Sequence, residues 1–197
     1  MGKVVAIEHL TLDGVMQGPG KPDEDRRGNF QYGGWGAANS DPAMQRAMGA
    51  RMGTGWSLLV GRVTYEDLYR AWARPAQPNP FSDALNNIEK LVASTTLHEP
   101  LAWRNSTLLT GDVLDAVAER KRASGNALII FGSGVLVQSL MARQLVDEFL
   151  LFIHPVVLGT GLKLFPDGVT HTRLRCTESS TTPGGVIIAA FAPSPER

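Results

Sequence analysis

Apolar residues in this chain gather in short unbroken runs, set apart by small, flexible or charged positions. Val4 to Leu10 opens the chain as a β-rich run and ends at Asp13-Gly14, a pair suited to a turn because glycine accepts positive φ. Trp56 to Val60, Leu91 to Ala93, Ser106 to Leu109, Ala127 to Phe131 and Phe149 to Ile153 are further strand candidates, and Pro155 to Leu158 reads as β-rich too. Helical spacing fills the gaps. Asp41-Pro42 supplies an N-cap and a first-turn proline, and Met44, Met48 and Met52 then recur every fourth residue as a core stripe. Tyr65, Leu68 and Trp72 share a side between Thr64 and Ala73, Asp112 caps a helix from Val113 to Ser124, and Val135 to Ala142 repeats the pattern. Arg173 to Thr182 and Val186 to Phe191 predict a closing hairpin.

Continuous apolar strands alternating with helices bury both faces of a sheet. The pattern therefore predicts one α/β domain over residues 1–192, with three layers: a mostly parallel central sheet, helices on both faces and a C-terminal antiparallel hairpin. Residues 193–197 read as a frayed tail. From Met16 to Asn39 no period survives among Gly, Pro, Asp and Arg, and so long a loop in a compact domain predicts a lid or binding segment.

Composition narrows the function classes. Lys plus Arg equals Asp plus Glu at 19 each, so no global field draws nucleic acid or an anionic membrane. Cys176 is the only cysteine, and the longest apolar stretch is far too short to span a bilayer, which predicts a cytoplasmic protein. His9, His98, His154 and His171 are dispersed, so no metal site is expected and each histidine reads as structural.

Three strand-to-helix corners carry small polar residues: Gly61-Arg62-Val63-Thr64, Ser94-Thr95-Thr96 and Gly132-Ser133-Gly134 with Val135 and Leu136 behind it. Ligands of open α/β sheets bind beyond the carboxyl ends of the strands, where helix N-termini offer unpaired N–H groups. Glycines for close approach, hydroxyl donors and Arg62 for a 2′-phosphate together suit NADPH. Any one of these glycines could equally serve a tight turn alone. The G-x-G-x-x-G and G-x-x-x-x-G-K-[ST] signatures are absent, which argues against a standard Rossmann enzyme or a P-loop NTPase.

In order, Thr11-Leu12-Asp13-Gly14, Gly61 to Glu66, Ser94-Thr95-Thr96, Phe131 to Gly134 and Leu145 to Glu148 running into Pro155 to Gly161 resemble the dihydrofolate reductase fold. The likeness is to the branch related to the riboflavin-biosynthesis reductase, the RibD C-terminal domain, and it runs from about Val4 to Phe191. It implies NADPH held by Gly61 to Thr64, Ser94 to Thr96 and Gly132 to Leu136, and a homodimer through the C-terminal strands. Where riboflavin-pathway reductases carry Asp-Pro-x-Leu-Thr-x-Arg, this chain has Thr64 to Arg70, and its first helix has Gln45 where dihydrofolate reductases place a carboxylate.

The expectation is thus an NADPH-dependent reductase of a small heterocyclic metabolite, resembling the phosphoribosylaminouracil reductase of riboflavin biosynthesis. A pterin-type reductase and a non-catalytic nucleotide-binding protein on the same fold are the alternatives. Asp13 is the first candidate for proton relay and Glu66 the second. Substrate contacts are expected from Asp13, Gly14, Asp25, Tyr32 and Trp35, while Asp13 could also be a turn residue.

Overall fold

The computed structural model describes residues 1–194. Eight strands form one sheet: β1 (Val4–Thr11), β2 (Trp56–Gly61), β3 (Lys90–Ala93), β4 (Ser106–Leu109), β5 (Ala127–Phe131), β6 (Glu148–His154), β7 (Leu174–Thr181) and β8 (Ile187–Pro193). Their order is β4-β3-β2-β5-β1-β6-β8-β7, parallel from β4 to β6 and antiparallel where β8 joins β6 and β7. The central parallel strands are largely apolar because both of their faces are covered.

Five helices do the covering: α1 (Pro42–Met52), α2 (Arg62–Trp72), α3 (Pro80–Asn87), α4 (Val113–Ala123) and α5 (Gly134–Ala142). One face carries α4 and α5, whose Val117, Leu136, Val137 and Leu140 pack on Val4, Ala6 and Leu10 of β1. The other carries α1, α2 and α3, whose Met44, Tyr65 and Leu85 pack on Val5 and Ile7. The three-layer α/β reading with a C-terminal antiparallel pair is therefore the observed architecture. Local chemistry sets the helix starts. Asp41 accepts the Ala43 N–H, Asp112 accepts from Leu114 and Asp115, and Asn79 with Ser82 forms a reciprocal capping box.

Some boundaries move. The second helix begins at Arg62, two residues before the apolar spacing shows it, because Gly61 is already its N-cap. Pro155 to Leu158 is no strand: β6 ends at His154, and the Leu158 N–H goes to the Asp13 side chain rather than to a sheet neighbour. Pro193, expected to begin the tail, still pairs with Leu174, and the Ser194 N–H reaches the Arg173 carbonyl. The rest of the expected tail lies outside the described residues. The long loop contains two short 3-10 turns, Arg27–Asn29 and Ala37–Asn39, and buries Phe30.

Candidate functional site

The carboxyl ends of β1, β2, β3 and β5 open on one cleft of ≈ 1490 Å³. All three glycine and hydroxyl corners line it: Gly61, Arg62 and Thr64; Ser94, Thr95 and Thr96; Gly132, Ser133, Gly134, Val135 and Leu136. Two of the corners are tied together. The Ser133 hydroxyl accepts the Gly61 N–H at 3.0 Å, and the Thr64 hydroxyl accepts the Ser133 N–H at 3.1 Å. Gly132 and Ser133 both have left-handed backbone, with φ of 59° and 58°, which turns the chain from β5 into α5.

The cradle is tight. A Cβ on Gly132 would come within 3.2 Å of the Thr64 hydroxyl, and one on Gly134 within 2.6 Å of the Met16 sulfur. Thr64 and Met16 thus leave no room for side chains at these corners, and bare backbone beside a helix N-terminus suits a phosphate-bearing nucleotide. Arg62 lies at the rim, half-exposed, and its guanidinium reaches Glu66 at 3.1 Å. Ile7, Met48, Leu68, Phe81 and Phe131 make the other end of the cleft apolar. Met48 therefore belongs to the core stripe and to the cleft wall at once.

Of the expected substrate contacts, Asp25 lines the cleft, bound to Arg27 at 2.5 Å. Burial pushes its carboxyl up, but hydrogen bonds from Arg27 and Gln17 bring it net below its ordinary value. Asp13, Gly14, Tyr32, Trp35 and Glu66 are not among the lining residues. Asp13 instead accepts the Thr11 hydroxyl at 2.6 Å, the Leu158 N–H at 3.2 Å and the Gly159 N–H at 2.8 Å. The Thr11 hydrogen bond foremost, with those two amides, brings its pKa down to about 2. Trp35 donates from Nε1 to the Gln17 carbonyl at 2.7 Å and stands edge-on to His154, and Tyr32 packs edge-on to Phe30. Glu66 is engaged with Arg62.

Two residues of β1 also reach the cleft: Glu8, which the sequence reading does not single out, and His9, which it reads as structural. Glu8 is 2% exposed, and its Oε1 has no hydrogen-bond partner. Burial pushes this carboxyl well above its ordinary value, and the Gly132 N–H opposes the shift. His9 also lines the cleft, and its Nδ1 meets His154 Nε2 at 3.0 Å. Burial, then repulsion from His154, brings His9 down to about 4. His154 is lowered by burial, and its Nδ1 is buried without a partner. The available signal was two consecutive polar residues inside a strand otherwise fit for full burial.

Comparison with known proteins places this geometry. A family model described as the RibD C-terminal domain matches residues 3–188. The chain is 28% identical over 136 residues to the uncharacterised protein YyaP of Bacillus subtilis, covering 66% of this chain and 70% of that one. A second Bacillus subtilis protein, YwjB, is 38% identical over 58 residues, 29% of this chain and 33% of its own. Among solved structures, a riboflavin biosynthesis protein from Shewanella sp. PV-4, so assigned without proof, superposes with a TM-score of 0.72 at 20% identity over 98% of this chain and 99% of that one. Dihydrofolate reductase from Enterococcus faecalis, solved with NADP(H), superposes with a TM-score of 0.61 at 14% identity over 98% of each chain. These two likenesses establish the fold.

Proposed function

Since the chain belongs to the RibD C-terminal domain family, we propose that it is an NADPH-dependent reductase of a small heterocyclic metabolite. One observation carries this reading: three corners far apart in sequence converge on one cleft, and two of them are locked together by Ser133 and Thr64. When bound there, NADPH supplies the hydride.

The protein's share is binding and alignment. The Gly132 to Leu136 corner and the Ser94 to Thr96 hydroxyls hold the nucleotide, and Arg62 takes the 2′-phosphate. The apolar end, with Ile7, Phe81 and Phe131, receives a flat heterocycle and excludes water. Asp13 positions the loop at Leu158 and Gly159 through its backbone contacts. Reduction of a phosphoribosylaminouracil-like or pterin-like ring is the finer form of this proposal.

Two companion proposals follow the same logic. Strand β7 is an edge strand exposed along nearly its whole length, which supports a homodimer through the C-terminal strands. Among the described residues no helix is long and apolar enough to cross a membrane, and with a lone free cysteine the proposed location is the cytoplasm.

A second reading, nucleotide binding without turnover, is favoured by one fact: neither Asp13 nor Glu66 lines the cleft. NADPH oxidation measured against pterins, deaminated pyrimidines and small carbonyl compounds separates the two. Consumption with one class supports the reductase. Tight NADPH binding with no consumption across the panel supports the alternative.

A further inference from the structure

Ile7 and Phe131 are the last paired residues of β1 and β5. Beyond them β5 turns away at Gly132, while β1 runs on through Glu8 and His9, still paired with Leu151 and Phe152 of β6. The sheet is open on one side of β1 at this level. Alternation along the strand sends the two neighbouring side chains to opposite faces. His9 shares its face with Ile7 and packs on Phe152 at 5.0 Å between ring centroids. Glu8 shares its face with Val4, Ala6 and the α5 side of the core, next to the Gly132 corner.

A fully buried carboxyl oxygen without a hydrogen-bond partner is destabilising, and such atoms in folded proteins call for a specific reason. Here the reason lies in what enters the cleft. We propose that Glu8 recognises the carboxamide of a nicotinamide ring seated in the slot between β1 and the Gly132 corner, a contact that rests on the NADPH reading above.

The chemistry is complementary. Burial favours the protonated form of the carboxyl, and apart from desolvation only the Gly132 N–H acts on it. A neutral carboxyl presents one O–H donor and one C=O acceptor side by side, and a primary carboxamide answers with its oxygen and its NH₂. An ionised carboxylate could only accept, leaving the carboxamide oxygen unmatched. A ring bearing a carboxylate in place of the carboxamide would bring a second acid into a dry pocket and be rejected.

The test is calorimetric titration of the full chain with NADPH, with its nicotinic-acid counterpart, and with 2′-phospho-ADP-ribose, which lacks the ring. Glu8→Ala should weaken NADPH by about ten- to a hundredfold while leaving the ring-less nucleotide unchanged. Glu8→Gln keeps one donor and one acceptor and should stay within about threefold of wild type. Wild type should bind the nicotinic-acid counterpart at least about tenfold more weakly than NADPH, an arm that needs no variant. Thermal unfolding of Glu8→Ala at or above the wild-type midpoint would confirm that the fold survives. Equal loss for NADPH and the ring-less nucleotide, no loss for either, or equal affinity of wild type for acid and amide overturns the role of Glu8 and leaves the NADPH reading standing. Failure of wild type to bind any of the three overturns that reading itself, and the carboxamide contact with it.

Discussion

His9 Nδ1 and His154 Nε2 lie 3.0 Å apart, the one near the end of β1 and the other closing β6, so a single hydrogen bond joins a partly buried imidazole to a fully buried one. Both rings are held below their ordinary pKa, His9 from 6.5 to about 4. Between those values the unfolded chain takes up a proton that folded His9 refuses, so stability falls as pH drops from 6.5 towards 4. The expected loss from His9 is on the order of 3 kcal/mol across the window. Urea unfolding of wild type and His9→Gln at a series of pH values measures it. The variant's disadvantage should shrink steadily towards the acid end, and a constant difference would show that the ring does not titrate as its burial requires.

Asp13 tests a different link. Its carboxylate joins the end of β1 to the backbone at Leu158 and Gly159, so Asp13→Asn should leave nucleotide affinity near wild type. Amide hydrogen exchange at Leu158 and Gly159 should quicken about tenfold, the effect of losing roughly one net charge-assisted hydrogen bond. Because the folded pKa is lowered from 3.8 to about 2, this contribution is complete above 3.8 and disappears as pH falls through 2. Exchange that is unchanged at neutral pH would mean the contacts carry no weight.

The ion pair of Arg62 with Glu66 bears on the proposed cofactor choice. Arg62→Ala should weaken NADPH by about ten- to a hundredfold and NADH far less, since only the former carries the 2′-phosphate. Glu66→Gln, which frees the guanidinium, should shift the preference further towards NADPH. Paired titrations decide it, and equal weakening of both nucleotides by Arg62→Ala would remove that residue from the phosphate site.

Gly132→Val should abolish nucleotide binding and lower stability by about 1–3 kcal/mol, because a β-branched residue is strained at positive φ and its Cβ would crowd the Thr64 hydroxyl. Gly134→Val meets the Met16 sulfur instead, the end of a flexible chain, so its fold should survive better while binding is still lost. A Gly134→Val protein that binds NADPH normally would show that this glycine serves the turn alone.

Much of the cleft's glycine and hydroxyl corners was legible because turn chemistry is local. Gly61, the Ser94 to Thr96 run and the Gly132 to Gly134 corner announce themselves within a few residues. Partners that lie far along the chain leave no such trace. Asp13 reads from the sequence as a proton-relay candidate or a turn residue, and its bonds to Leu158 and Gly159, 145 and 146 positions away, leave no local trace. Pro155 to Leu158 looked like a strand because its β-forming residues say nothing about where their N–H groups go. Glu8 and His9 become visible as cleft residues only once the strand order sets β5 beside β1 and ends it one residue short of them.

The same strand order has a consequence for biosynthesis. Strand β1 ends up between β5 and β6, whose residues are made more than a hundred positions after it. Early in translation β2, β3 and β4 can pair among themselves, while Val4 to Thr11 has no sheet neighbour until residues 127–131 have emerged and no second one until residues 148–154 have. Until then this apolar segment lacks the strands that cover its edges. Its late insertion between β5 and β6 is the step that closes the sheet around Glu8 and His9.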